Sequence, residues 1–354
     1  MSPVTEIPKP GAGAGPGSVS DETRDRKAEH IEIALDEAMQ VHGLSFDAWV
    51  FEHEALPEID LAEIDTSVDF LGKRLEAPFL ISCMTGGTGS ASLINRNLAA
   101  AAERRGIAVG VGSQRKALED PSQVASFEVR DVAPTVLLLG NLGAVQLNYG
   151  YGIEQCRAAV EMIAADALVF HLNPLQEAIQ PEGDTNFQEL LPKMARVVEH
   201  LGVPVIAKEV GSGLSAATAR RLRDIGIRIL DTAGVGGTSW ARIEARRADD
   251  VEIGEMFADW GLPTPESIRQ LASVEGVTVI GSGGLRSGID AAKALALGAD
   301  LAGMAYPFLQ AATESPEKVT EKIDRVWREL KIAMFCVGAR TIDELKKVRL
   351  SRRA

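Results

Sequence analysis

The chain has 354 residues, 45% of them hydrophobic, and a net charge of −13: enough apolar matter for a large core, and the wrong sign for nonspecific nucleic-acid binding. Its three cysteines, Cys83, Cys156 and Cys336, are odd in number, far apart and without histidines at zinc-ligand spacing, so neither a disulfide framework nor structural zinc is indicated and a reducing cytoplasm fits. No apolar run approaches the roughly 20 residues of a membrane span and no basic-then-apolar leader is present, so a cytoplasmic protein without membrane contact is expected.

Residues 1–23 make a Gly/Pro-rich tail, centred on Gly11-Ala-Gly-Ala-Gly-Pro-Gly17, that cannot bury enough surface to offset its ordering entropy; disorder is expected there. Residues 24–77 read as a cap, helical from Arg24 to Val41 with Ile31, Leu35 and Ala38 at helix spacing, then irregular with short strands. From Pro78 a short apolar strand, a Gly or polar turn and a helix-patterned segment repeat. The expected strands are Phe79–Met84, Ala108–Gly112, Thr135–Gly140, Ala167–His171, Val203–Lys208, Arg228–Asp231, Val277–Gly281 and Ala299–Met304. Eight such units over residues 78–312 predict an α/β fold, a single (β/α)8 TIM barrel of roughly 250 residues. No Gly-x-Gly-x-x-Gly follows the first strand, which weighs against a Rossmann fold. Residues 313–354 hold a helix from Pro316 to Cys336 and a basic end, Arg352 and Arg353, expected to be solvated.

The heptad His171-Leu-Asn-Pro-Leu-Gln-Glu177 places an imidazole, two carboxamides and a carboxylate at the end of the fourth strand, where a barrel builds its active site. Met84-Thr-Gly-Gly87, Ser113-Gln-Arg-Lys116, Asn141 and Gly234-Val-Gly-Gly-Thr-Ser239 sit at other strand ends and converge only if the barrel closes. Loops after strands seven and eight often bind phosphate, and here they read Gly281-Ser-Gly-Gly-Leu-Arg-Ser-Gly288 and Gly303-Met-Ala305. Lys208 lies inside an apolar strand, where its charge is costly without an anionic or strongly polar partner. A flavin mononucleotide would explain the set, with phosphate on the Gly loops and lysine near the ring's N1 side. Arg26-Lys27-x-x-His30 and Arg115 could clamp a diphosphate, whereas Trp240 and Trp260 read as core or interface positions.

Taken together, Arg26-Lys-Ala-Glu-His30, Leu56-Pro-Glu-Ile-Asp60, Ser82-Cys-Met-Thr-Gly-Gly87, Gly112-Ser-Gln-Arg115, His171–Glu177, Ala233-Gly-Val-Gly-Gly-Thr238 and Phe257-Ala-Asp-Trp-Gly-Leu-Pro-Thr264 make a chain that resembles the type 2, FMN-dependent isopentenyl-diphosphate delta-isomerases from Arg26 to about residue 338. The resemblance implies a barrel that moves the double bond of isopentenyl diphosphate to give dimethylallyl diphosphate in isoprenoid biosynthesis. It implies a flavin site of Met84, Thr85, Ser113, Asn141, Lys208, Thr238, Gly283, Gly284 and Ala305. Substrate contacts would come from Arg26, Lys27, Ser113, Gln114, Arg115, His171, Asn173 and Gln176, with Gln176 in the chemistry and Glu177 on Mg²⁺. NADPH would serve only to reduce the flavin, and a homo-oligomer, a tetramer or larger, is implied. Cys83 stands where the family often has a small hydroxyl residue or alanine.

Two other readings compete. A 2-hydroxy-acid oxidase shares the barrel and its phosphate loops, but its family places a catalytic His-Gly-Arg after a late strand, where this chain reads Asp231-Thr-Ala-Gly-Val-Gly-Gly-Thr-Ser239. A non-catalytic flavin or phosphate binder is the other, since fold alone does not imply chemistry.

Overall fold

Eight short apolar runs, each followed by helical sequence, are driven to pair in parallel because each helix returns the chain to the same end of the sheet while covering its outer face. In the computed structural model, which describes residues 29–41, 43, 46–87 and 89–353, they are β1 (Phe79–Ile81), β2 (Ala108–Gly110), β3 (Leu138–Gly143), β4 (Ala167–Leu172), β5 (Val205–Glu209), β6 (Ile229–Asp231), β7 (Thr278–Ser282) and β8 (Leu301–Met304). They form one closed parallel barrel in sequence order, β8 returning to β1 through the pair Gly303↔Leu80. The expected (β/α)8 architecture is the observed one.

Alternation divides the strand residues between two cores. Outward side chains such as Phe79, Ile81, Val109, Phe170 and Val279 pack under the helices, while Leu80, Ala108, Leu139, Val169, Ile206, Ile280 and Leu301 fill the interior. Two residues further along each strand, the next inward positions are Ser82, Gly110, Asn141, His171, Lys208, Asp231, Ser282 and Gly303, so the apolar filling ends in a polar layer at the C-terminal mouth. Register sets His171, Lys208 and Asp231 side by side on β4, β5 and β6.

A hairpin, Val68–Phe70 with Lys73–Leu75, plugs the opposite end and adds Phe70 and Leu75 to the interior. Its two-residue turn holds both Leu71 and Gly72 at positive φ, 50° and 75°, the backbone twist a tight hairpin needs. Lys73 Nζ latches the plug by donating to the carbonyls of Thr135 and Val136 at 2.9 and 3.0 Å and to Asp166 Oδ2 at 3.0 Å. The same Asp166 oxygen accepts from Arg130 Nη2 and Leu138 N–H, each at 2.8 Å. Burial pushes the Asp166 carboxyl up, but these donors outweigh it and hold it below its ordinary value. Asp166→Asn should cost about 2 kcal/mol in urea unfolding at pH 7, partial exposure reducing the figure for a fully buried pair. The folded pKa lies below the unfolded value of about 3.9, so this contribution exists above that pH and is lost as pH falls through the folded pKa. The two proteins should therefore converge in acid; a gap that persists there would assign the effect to packing, not charge.

Two expectations need correction. The N-terminal helix does not continue to Val41: it ends at residue 34, Asp36 accepts from Ala38 N–H to start a single 3-10 turn, Glu37–Met39, and Gln40 pairs with Thr238 beside the barrel mouth. Nor is the basic end merely solvated. Leu350–Arg352 pairs antiparallel with Trp49–Phe51, and the Arg352 guanidinium stacks 5.2 Å from the Trp49 ring. The expected disordered tail and the Arg26-Lys27 pair lie outside the described residues.

Candidate active site

Above the polar layer lies a cavity of about 290 Å³, walled by the strand-end loops and by His30, Ile31 and Ala34 of the N-terminal helix. The structure brings Met84, Thr85, Ser113, Arg115, Asn141, His171, Asn173, Gln176, Glu177, Lys208, Thr238 and Ala305 into its lining. Three expected residues are elsewhere. Gln114 is 0% exposed and faces the barrel wall: its Oε1 accepts from Asn141 N–H at 2.9 Å and its Nε2 donates to the Ala159 carbonyl at 2.8 Å, so its side chain is committed to the scaffold, not to a substrate. Gly283 and Gly284, at φ 106° and 75°, pack on residues 234–237, where added Cβ atoms would fall 2.3 Å from Gly234 O and 2.1 Å from Gly236 O. The approach of two loops explains these glycines without any ligand.

The floor is electrostatically tense. Lys208 is buried, and its Nζ donates to the Glu209 carbonyl at 2.6 Å. On the next strand burial pushes the Asp231 carboxyl up, while the Lys208 charge and a hydrogen bond from Ser282 Oγ pull it down. Burial also drives the Cys83 thiol up to about 11, so at neutral pH it is a neutral filler, not a nucleophile. Ser82 Oγ is buried with no hydrogen-bond partner and belongs to the cavity lining.

The rim is built by the turn of helix Pro174–Ile179, which begins one residue after β4 with proline in its first turn. Asn173 Nδ2 donates to Glu177 Oε1 at 2.8 Å and to Gln176 Oε1 at 3.2 Å, which leaves Asn173 Oδ1 buried and without a partner. Glu177 Oε2 accepts from Asp184 N–H at 2.7 Å, and burial holds this carboxyl above its ordinary value despite those bonds. Such a carboxylate gains from a nearby cation.

Sequence reading missed the group behind Gln176. Glu244, 0% exposed on helix Trp240–Arg247, accepts from Gln176 Nε2 at 2.7 Å and from Arg247 Nη1 at 2.7 Å, and lies 3.1 Å from His30 Nε2. Burial pushes Glu244 up, but His30 beside it and the bonds from Gln176 and Arg247 prevail and hold it below its ordinary value. Its only sequence signal is one carboxylate among the charges of an Arg-rich helix, indistinguishable from a solvated face. Trp240 is likewise a wall of the cavity and not a core filler, edge-on to His30 at 5.2 Å. Trp260 stays largely exposed.

A family model for FMN-dependent dehydrogenases matches residues 172–352. Curated relatives named isopentenyl-diphosphate delta-isomerase include one from Nostoc sp., 49% identical over 93% of this chain and 96% of its own, and one from Rickettsia bellii, 52% identical over 92% and 96%. Among solved structures, a putative lactate oxidase from Pediococcus acidilactici aligns with a TM-score of 0.64 over 92% of this chain and 87% of that one, at 16% identity. Mandelate oxidase with (S)-2-phenylpropionate aligns with a TM-score of 0.60 over 92% and 90%, at 20% identity. Likeness at that level is one of fold alone. Identity near one half across almost the whole length, joined to the FMN-dependent barrel, is decisive, and the chain belongs to the type 2 isopentenyl-diphosphate delta-isomerase family of enzymes.

Proposed function

We propose that the protein interconverts isopentenyl diphosphate and dimethylallyl diphosphate on reduced FMN seated over the polar layer, with Mg²⁺ and the diphosphate at the rim beside Glu177. The observation that carries this reading is the Gln176–Glu244 contact: a neutral amide on the cavity wall, held from behind by a buried carboxylate that is not part of the lining. Moving the double bond means adding a proton to an unactivated alkene end and removing one two carbons away, with tertiary cation character between. A hard nucleophile beside that cation would trap it, and Gln176 presents none, while Glu244 stabilises positive charge from a distance.

The residues present suit both groups. The orphaned Ser82 Oγ, the Asn141 amide and the Lys208 ammonium would offer donors to a flavin's polar edge, and Met84, Thr85, Thr238 and Ala305, which line the same cavity, would complete its seat. Bound and reduced, FMN would supply an electron-rich ring that stabilises positive charge and a nitrogen that exchanges a proton. The Glu177 carboxylate and the unpartnered Asn173 Oδ1 suit a hard cation whose remaining ligands are diphosphate oxygens and water. Arg115, and Arg26 and Lys27 from the N-terminal segment, would neutralise the diphosphate; His171, its Nδ1 3.0 Å from Asn141 Oδ1, and Ser113 would fix its orientation. NADPH would only prime the flavin, and a homo-oligomer, to be checked by light scattering, is part of the same reading. Hydroxy-acid oxidation is disfavoured, since the catalytic His-Gly-Arg expected after a late strand is absent from residues 231–239.

Protein loaded with FMN and photoreduced without any nicotinamide should isomerise the substrate with Mg²⁺, and the oxidised protein should be silent. Equal rates in the two states would remove the flavin from the chemistry.

A further inference from the structure

After Glu177 the chain turns back through Pro181-Glu182-Gly183-Asp184 and touches both sides of the rim. Asp184 Oδ2 accepts from Arg115 Nη1 at 2.8 Å and from Gln146 Nε2 at 2.9 Å, while the backbone N–H of the same residue donates to Glu177 Oε2 at 2.7 Å. Gly183 permits the approach, for a Cβ there would lie 1.8 Å from the Glu177 carbonyl oxygen. Arg115 already has a carboxylate one helical turn away, Glu119 Oε1 at 2.8 Å, so local charge pairing does not require a second one from a loop 69 residues distant.

We propose that Asp184 is a positioning residue that sets the spacing between Arg115 and Glu177, so that Mg²⁺ and diphosphate bind as one unit. The inference deepens the reading above and rests on it. Arg115 and Glu177 carry opposite charges, face the same cavity and feel one another's field. Left alone, they gain by collapsing into a direct pair, which would close the gap that a bound cation and its anion must fill. Asp184 prevents this with opposite ends of a single residue, its carboxylate anchoring the guanidinium and its N–H anchoring the carboxylate. Gln146 holds the Asp184 side chain, which is only 17% exposed, from a third direction. A ligand carrying its own cation and anion at fixed separation then meets a site already spaced for it, the preorganisation that lowers the cost of binding.

The test uses the full chain loaded with FMN. Asp184→Ala should raise the KM for isopentenyl diphosphate and the Mg²⁺ concentration for half-maximal rate together, each by about 10- to 100-fold, with a smaller fall in kcat. Calorimetric titration with inorganic pyrophosphate and Mg²⁺ should weaken in parallel, and flavin content should be retained. Asp184→Asn keeps the turn and an acceptor for Arg115 and should give an intermediate rise. Gly183→Ala keeps the carboxylate but displaces the loop, and should reproduce the coupled loss. The proposal is overturned if KM rises while the Mg²⁺ requirement stays put, if kcat alone falls, or if Asp184→Ala binds Mg²⁺-pyrophosphate as the parent does. A parent protein that neither turns over substrate nor binds Mg²⁺-pyrophosphate sinks the underlying reading as well; a parent that does both while Asp184→Ala matches it sinks this inference alone.

Discussion

Glu244→Gln should leave FMN bound and the substrate KM little changed, yet lower kcat by roughly 10²- to 10⁴-fold, the range associated with a lost acid–base element. The glutamine can still accept from Gln176, so the amide keeps a partner. What disappears is the negative charge that fixes Gln176 and, in the proposed reaction, would answer positive charge developing on the substrate. Arg247 loses its buried partner too, though it retains Glu182 Oε1 at 3.1 Å and Glu29 Oε2 at 3.3 Å, so a stability loss of about 3 kcal/mol accompanies the kinetic one. The folded pKa of Glu244 is held below its unfolded value, so its contribution is present above that value and lost as pH falls through the folded pKa. The stability gap between parent and variant should close in acid. Gln176→Ala should share the kinetic defect without the stability defect, because it leaves the Glu244–Arg247 pair intact. Full turnover in Glu244→Gln would detach the dyad from catalysis.

The second large effect is expected at the floor. Lys208→Met removes the cation from a layer in which Asp231 is completely buried and leans on it. An uncompensated buried carboxylate costs about 3–5 kcal/mol, or takes up a proton, and burial already pushes Asp231 in that direction. In the proposed arrangement reduced flavin also loses a stabilising charge, so the potential of the bound cofactor should fall and turnover should drop by about 10²-fold. The two consequences separate in the double variant: Lys208→Met with Asp231→Asn should recover stability, because no charge is left stranded, and should not recover the flavin potential. If the double variant restored both, the lysine would be acting only as a structural counter-ion.

Much of the scaffold was legible because strands buried on both faces must be apolar throughout, and the sequence contains eight such runs between helical segments. The limits drifted where the interior turns polar. The third strand was expected to end at Gly140 but runs to Gly143, since Asn141 reads as a loop residue when it is the inward position above Leu139. The same step of two would have found Ser82, Asp231 and Ser282, each two residues above an interior apolar side chain or its register partner. Gln114 was misassigned for the converse reason, a polar residue at a strand end that turns into the wall. Glu244 and Asp184 left no local signature, because their meaning comes from partners 68 and 69 residues away that only the closed barrel assembles.

In the proposed reaction the flavin is primed once and reused, with no net oxidation or reduction of the substrate. FMN-loaded protein should be incubated anaerobically with isopentenyl diphosphate, Mg²⁺ and limiting NADPH, and the dimethylallyl diphosphate formed counted against NADPH oxidised. Many products per NADPH are predicted. A ratio of one, or no product from protein whose flavin is bound and reduced, would overturn the proposed function.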